Sequence, residues 1–334
     1  MNKFLTLLSL FVTLGTLGQD QHFSQIHLMP LYLNPAMTGF FEGDLRVGAI
    51  YRNQWSSIQS RYGSTRYETY GAYLDGALLR RKLKGDYLGI GFSAFRDRAG
   101  DLGLTTTLGQ LSIAYSKSFG HRTKHSLSLG IQGDFSFKGF SSTADRKFTD
   151  GIPENITRNV IGIDATAGLR YHVAFKQRFN MYAGFAYAHL LQPAESLSGT
   201  GTNRVQAKYT ASLGAQVDVN DRFNIVPTAL FLMQGTALQV NVAACAQYIF
   251  GDIYTSRNSL SFGLGTRFAK PTPDALIPQI KLELYHVLLG VACDINVSSL
   301  NRATTSFGAI ELGVQYIYNR KQISTFTNTR CPRF

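Results

Sequence analysis

The chain has 334 residues, a formal net charge of +12, 32 Gly, 17 Tyr and 23 Phe, against 9 Pro and a single Trp. Its three cysteines, Cys245, Cys293 and Cys331, are too few and too scattered for a disulfide framework or a metal site. A basic balance can mark nucleic-acid binding, but here Lys and Arg fall at turns and inside strands, with no basic helix and no binding motif, so nucleic acid is not an expected partner.

Met1-Asn-Lys3 opens the chain with positive charge, and Phe4 to Leu17 is an apolar run thinned by Thr, Ser and Gly. Thr16 and Gly18 place small residues where a signal peptidase reads them. Residues 1–18 therefore read as a secretory signal peptide, too short for a spanning helix. The mature chain is expected to start at Gln19. No later apolar run approaches the roughly 18 to 20 residues that a transmembrane helix needs. The exported chain is then soluble, or it crosses a membrane as a barrel. Abundant Gly and aromatic residues favour the barrel, with rings at the interfaces and small residues where the wall bends.

Residues 19–43 come before the first strand, and Pro30 and Pro35 keep them irregular. Irregular backbone at membrane depth is tolerated only inside protein or a wet cavity. This periplasmic segment is expected to tuck into the lumen as a plug, with His22, Phe23, Ser24, Gln25, Asn34 and Pro35 as its candidate contacts. His22, Gln25 and Asn34 can hydrogen-bond to lumen charges, while Phe23, Leu31 and Leu33 pack against small wall residues.

Residues 44–334 read as one barrel. Strands are expected near 44–55, 67–78, 86–96, 105–118, 125–137, 161–173, 180–190, 208–219, 223–232, 237–248, 260–268, 276–285, 287–296 and 308–318. Alternation is cleanest in 125–137, where Leu127, Leu129, Ile131, Phe135 and Phe137 oppose Ser126, Ser128, Gln132, Asp134 and Ser136. A soluble β-sandwich alternates too. About fourteen strands near the 9 to 11 residues of a membrane crossing, with so little helix, exceed what a sandwich holds. The polar face also carries charge in nearly every strand: Arg46, Arg52, Asp164 and Arg170 are the candidate lumen residues, with Asp218, Arg267, Glu283 and Glu311 in the same phase. The fold class is all-β, a transmembrane antiparallel barrel whose apolar face meets outer-membrane lipid.

With the N-terminus on the periplasmic side, even-numbered turns should be short and odd-numbered loops long. Turns 79–85, 119–124, 174–179, 220–222 and the Tyr285-His286 corner are short, and loops 138–160 and 191–207 are long. Met233–Thr236 and Ile249–Ser259 break the rule, so that region is either mis-assigned or specialised. The short turns hold Arg80, Arg81, Lys82, Lys84, Arg122, Lys124, Lys176, Arg178 and Arg222 against Asp221. A solvated rim accounts for them; so does a docking collar for an acidic periplasmic partner, built first on Arg80, Arg81, Lys82 and Lys84.

Catalytic signatures are absent: there is no nucleophile elbow, zinc-protease helix, phosphate loop or paired-Cys motif. His172 and His189 have no evident Ser partner on their face. No catalytic residue, metal site or cofactor is expected.

Gln19-Asp20-x-His22-Phe23-Ser24-Gln25, Pro30-Leu-Tyr32-Leu-Asn34-Pro35-Ala36 with Thr38-Gly39, and Tyr51-Arg52-Asn53-Gln54-Trp55 closely resemble the start of the PorP/SprF family. The similarity continues in Asp274-Ala275-Leu-Ile-Pro278, Asp294-Ile-Asn296, Gly308-Ala-Ile-Glu311 and the terminal Cys331-Pro332-Arg333-Phe334. Cys293 departs from the family pattern, which tends to place Tyr before the Asp. The resemblance implies an outer-membrane barrel of the Bacteroidetes type IX secretion system that works with the gliding machinery. It implies two partners: a secreted adhesin, engaged through its C-terminal domain for export or surface anchoring, and the periplasmic part of the machine. It transfers no catalytic residue. A diffusion channel or hydrophobic-solute transporter of similar shape is the rival reading.

Overall fold

The computed structural model describes residues 20–55, 67–80, 82–83, 85–100, 103–120, 124–140, 159–175, 178–197, 203–251, 258–269, 272–298, 304 and 306–319. The expected leader, loop 56–66, most of loop 138–160, residues 252–257 and Cys331 lie outside them. None of the described helices is long and apolar enough to cross a membrane.

Fourteen antiparallel strands close into one barrel. They are β1 (Leu45–Gln54), β2 (Tyr67–Leu78), β3 (Tyr87–Ala99), β4 (Leu104–Phe119), β5 (Lys124–Phe140), β6 (Val160–Phe175) and β7 (Phe179–Ala188). Then follow β8 (Lys208–Asp218), β9 (Phe223–Gln234), β10 (Ala237–Phe250), β11 (Asn258–Ala269), β12 (Thr272–Leu284), β13 (Val287–Asn296) and β14 (Phe307–Tyr318). Each pairs with its neighbours in sequence, and β14 closes on β1 with Leu45 opposite Tyr318. Closure leaves no unpaired edge, which is what lets strands span a bilayer.

All fourteen expected strands form. Those of β4, β5 and β6 are taller than a crossing requires, at 16, 17 and 16 residues. Their ladder runs unbroken to Leu104 opposite Phe140, where Thr105, Thr106 and Lys138 carry it past the apolar belt. The region that broke the loop rule is correctly assigned: Gly235-Thr236 turns β9 directly into β10, with Gly235 in the left-handed region at φ 56°.

Alternation now has a physical meaning. Ile131 and Ile163 are each 67% exposed and belong to an outward apolar belt that would be untenable in water but is ordinary against lipid. Outward rings form two girdles. Tyr115, Phe119, Tyr171, Tyr248 and Tyr316 lie toward the rim where β1 begins, called here the near rim; Tyr70, Phe135, Phe137, Phe185 and Phe231 lie toward the opposite, far rim.

The buried apolar core is inside the barrel, where Phe23, Leu28, Met29, Leu31 and Tyr32 pack on Ile50, Tyr73 and Phe95 of the wall. Short helical turns at Ile26–Leu28, Pro30–Leu33 and Pro35–Met37 make the segment compact. Pro30 and Pro35 each sit at a first helical position, where no N–H is needed. Asn34 takes the extended backbone that a following proline enforces, and its Oδ1 caps Ala36 N at 2.8 Å.

The segment's direction differs from a simple linker into β1. Asp20 contacts His189, Lys208 and Gln234 at the far rim, whereas Gly39 and Gly43 lie beside Arg80 at the near rim. From Asp20 the segment thus runs from the rim opposite the start of β1 and descends the whole lumen before entering the wall. The wall's inward glycines accommodate it. A Cβ on Gly130 would collide with the backbone of Pro35 and Ala36, and one on Gly168 with Asn34. These glycines serve close approach rather than bending.

Candidate functional site

Three clusters fix the segment to the wall. The first lies toward the far rim. Glu311 of β14 accepts the backbone N–H groups of Ser24 and Gln25 at 2.7 and 2.8 Å. Arg52 of β1 donates to Glu311 and, at 2.8 Å, to Asp294 of β13, which also accepts from Ser24 Oγ. Arg267 of β11 bridges Asp294 at 2.8 Å and Asp274 at 2.9 Å. Arg52, Asp294 and Glu311 are almost fully buried. Two guanidinium groups face three carboxylates, a formal charge of −1, and Asp274 is the one partly exposed carboxylate, so the fully buried Asp294 and Glu311 each keep a cation. His22 lies within electrostatic reach of Arg52, Arg267 and Asp294.

The second cluster runs from mid-lumen to the near rim. Asn34 Nδ2 donates to the carbonyls of Leu169 and Phe185 at 3.0 and 3.2 Å, taking over wall groups at β6 and β7. Arg170, fully buried, donates from Nε to Ala36 O at 3.2 Å and from NH2 to Ser128 Oγ, with its guanidinium carbon 3.6 Å from the Phe40 ring centroid. Asp75 of β2 forms a two-pronged pair with Arg46 at 2.9 Å and accepts Gly39 N at 2.7 Å.

The third cluster holds the segment's start. Asp20 Oδ2 faces His189 Nε2 at 2.9 Å and Lys208 Nζ, while Gln234 Nε2 donates to its Oδ1 at 3.1 Å. His189 Nδ1 meets Asp164 at 2.7 Å. Burial works against the charged imidazole, but hydrogen bonds to Asp164 and Asp20 and the Asp20 charge outweigh it, raising the His189 pKa to about 9. Burial alone would raise the Asp20 carboxyl; the Lys208 charge and the His189 hydrogen bond overcome it and hold Asp20 well below the usual range.

All four candidate lumen residues, Arg46, Arg52, Asp164 and Arg170, are buried on the inner face. Ser24, Gln25 and Asn34 contact the wall directly, Phe23 meets Tyr32 edge-on and Phe95 at a tilt, and Pro35 lies over Gly130 and Gly168. Asp75, Asp20, Lys208 and Gln234 are not among the candidate site residues read from sequence. Inward phase could have found Asp75. Residues quoted above as separate motifs, Ser24, Gln25, Arg52, Asp274, Asp294 and Glu311, meet in one cluster.

The proposed collar needs correction at Arg80. Its guanidinium donates to the carbonyls of Gly39, Phe41 and Gly43 and lies 4.8 Å over the Tyr87 ring, so it ties down the segment's end instead of facing a partner. The carbonyls there have no helical partners, and a cation with several donors satisfies them. Lys82 and Arg222 are exposed. Arg81, Lys84, Arg122 and Lys176 and the Lys124 side chain lie outside the described residues. Among the described residues no cluster of His, Cys, Asp and Glu is arranged to hold a metal.

No curated protein matches the chain by sequence. Among solved structures, a TodX monoaromatic hydrocarbon channel mutant aligns with a TM-score of 0.50 at 9% identity, covering 87% of this chain and 94% of that one. The toluene transporter TbuX of Ralstonia pickettii aligns at 0.47 and 11%, covering 86% and 93%. The CymD monoaromatic hydrocarbon channel gives 0.47 and 11%, covering 88% and 93%. At such identities the TodX likeness concerns the fold alone. The family profile described as "Type IX secretion system membrane protein PorP/SprF" matches residues 16–316, nearly the whole chain. The chain belongs to the PorP/SprF family of type IX secretion system membrane proteins, and its barrel resides in the outer membrane.

Proposed function

We propose that this barrel is a plugged scaffold of the type IX machinery, which helps export a partner adhesin, or hold it at the cell surface, through the adhesin's C-terminal domain. The observation that carries the reading is a family member's lumen occupied from rim to rim by its own residues 20–43, pinned at three clusters. A diffusion channel needs a free path, and this segment fills the space that such a path would use. The periplasmic parts of the machine would meet the near rim, where Lys82 and Arg222 are exposed. The reading includes no catalysis, in keeping with a secretion family.

Deletion of the gene tests the first half. Loss of surface display of the cognate type IX substrate, while unrelated substrates are still exported, is expected; undiminished display refutes the role. Planar-bilayer recording tests the second half. The intact protein should show no steady conductance, and removal of residues 20–38 should open one. A steady pore in the intact protein favours a hydrophobic-solute or diffusion channel.

A further inference from the structure

Among the described strands, prolines occur only in β9 and β12: Pro227, Pro273 and Pro278. Pro227 and Pro278 sit mid-strand and face outward. A proline gives no N–H to a ladder and is normally confined to sheet edges, yet a closed barrel has none. The ladder responds in both places. Between β8 and β9 it runs from Lys208–Gln234 to Gly214–Thr228, skips Ala215 and Gln216, and resumes at Val217–Ile225 in the same register. Between β12 and β13 it skips from Leu276–Ile295 to Gln279–Ala292, opposite Pro278 and Cys293. The β4–β5 and β5–β6 ladders have no such gap.

Behind these gaps the lumen is not completely filled. A narrow crevice separates Ile26 and His27 from β9–β12, with about 20 Å³ of free space, room for about one water. Val226 and Thr228, which flank Pro227, and Ile277 and Gln279, which flank Pro278, all line it, with Cys245 and Gly265 between them. The buried atoms His27 Nε2, Asn241 Nδ2 and Gln279 Oε1 belong to crevice-lining residues and have no hydrogen-bond partner. At the far rim β9 and β10 are joined by only two residues, 235–236. The proline-interrupted part of the wall thus borders a crevice with unpartnered polar atoms.

We propose that β9–β12 is a hinged panel whose seams with β8 and β13 part transiently, giving the crevice a lateral port to the bilayer. One backbone donor is missing at each of these seams at membrane depth, where no water replaces it, and this lowers the barrier there; the β11–β12 and β13–β14 ladders carry register shifts instead, at Arg267/Phe268 and Asp294/Ile295. The port does not depend on the secretion reading.

The native Cys245 reports on it, being buried on the inner face of β10 within the crevice. With Cys293→Ala and Cys331→Ala, the protein in phosphatidylcholine vesicles is treated with either a bilayer-partitioning maleimide or a charged, membrane-impermeant one. The partitioning reagent should label Cys245 faster. Combining Pro227→Val with Pro278→Val restores both donors and should slow that labelling by about tenfold or more. Labelling unchanged by the valines, or occurring only from the aqueous side, overturns the port. Hydrogen exchange on the unaltered protein gives a second reading independent of any substitution. Amides of 213–217 and 291–294 should exchange faster than those of 109–114, and equal protection overturns the proposal.

Discussion

Two arcs of this wall follow the same alternation and yet differ in how they are held. From β13 through β14 and β1 to β7, inward charges and glycines are matched to the descending segment: Glu311 to Ser24 and Gln25, Asp75 to Gly39, Arg170 to Ala36, Gly130 and Gly168 to Pro35. From β9 to β12 the segment stands off, and inward Lys281 has neither a hydrogen bond nor a salt bridge to any described residue. The first arc gains rigidity from the segment along its height; the second is tied only toward the far rim, by Gln234 to Asp20 and by Arg267 to Asp294, and elsewhere relies on its own ladder, which prolines interrupt. Barrel closure is therefore not what makes a wall uniformly stiff. The packing behind it decides.

The largest expected effect comes from removing a charge on the filled side. Arg52→Ala leaves Asp294 with only Arg267, and leaves Glu311 buried with no cation, at a cost of about 3–5 kcal/mol. Lys281→Met on the other arc conserves volume and breaks no pair, so its cost stays below about 1.5 kcal/mol. Urea-unfolding midpoints in detergent compare them, and equal losses would erase the distinction between the arcs. Next in size is Gly168→Val, whose side chain meets Asn34 and Pro35 and costs about 1–3 kcal/mol by overpacking. It should also admit ionic current through the displaced segment. Gly265→Ala, beside the crevice, has the Ala243 and Ile277 side chains and the Val242 carbonyl as its nearest neighbours, not the segment, and should leave the current unchanged.

The strands were legible because a bilayer outside and a polar lumen inside impose opposite chemistries on successive residues, so Ile131 and Gln132 announce their faces from sequence alone. The same phase places Arg46, Arg52, Asp164 and Arg170 inward. What phase cannot supply is partnership. Asp20 meets Lys208 and His189 only because the segment begins at the far rim, and no local pattern encodes that direction. Arg80 looked like one of several turn cations, but the carbonyls it holds come from Gly39 to Gly43, on another part of the chain. Glycine counts were informative, though their reason lay in what crosses the lumen.

A smaller effect is expected at Asn34, which joins the segment to itself and to the wall. Asn34→Ala removes the cap on Ala36 and the donors to Leu169 and Phe185, costing about 1–2 kcal/mol. Asn34→Asp keeps the cap while losing the amide donors, so the two variants separate local helix stability from attachment. If both unfold at the same denaturant concentration, the wall contacts carry the whole effect.

The smallest effect is local to the segment's first residues and depends on pH. The His189 pKa is raised from 6.5 to about 9, so its contribution is complete below about pH 6.5 and is lost as pH rises through about 9. Asp20 behaves oppositely: its carboxyl is held low, so its contribution is present above the ordinary carboxylate range and lost only in strong acid. The clamp should therefore hold from mildly acidic to neutral pH and loosen on the alkaline side first. A nitroxide on Gln21→Cys, in protein lacking the native cysteines, should gain mobility with a midpoint near pH 9. Lys208 also faces Asp20, so His189→Gln isolates the imidazole: that variant should be mobile already at pH 7 and show no transition near 9. Persistence of the same transition in His189→Gln would show that the imidazole is not the group that titrates and leave the clamp without its histidine.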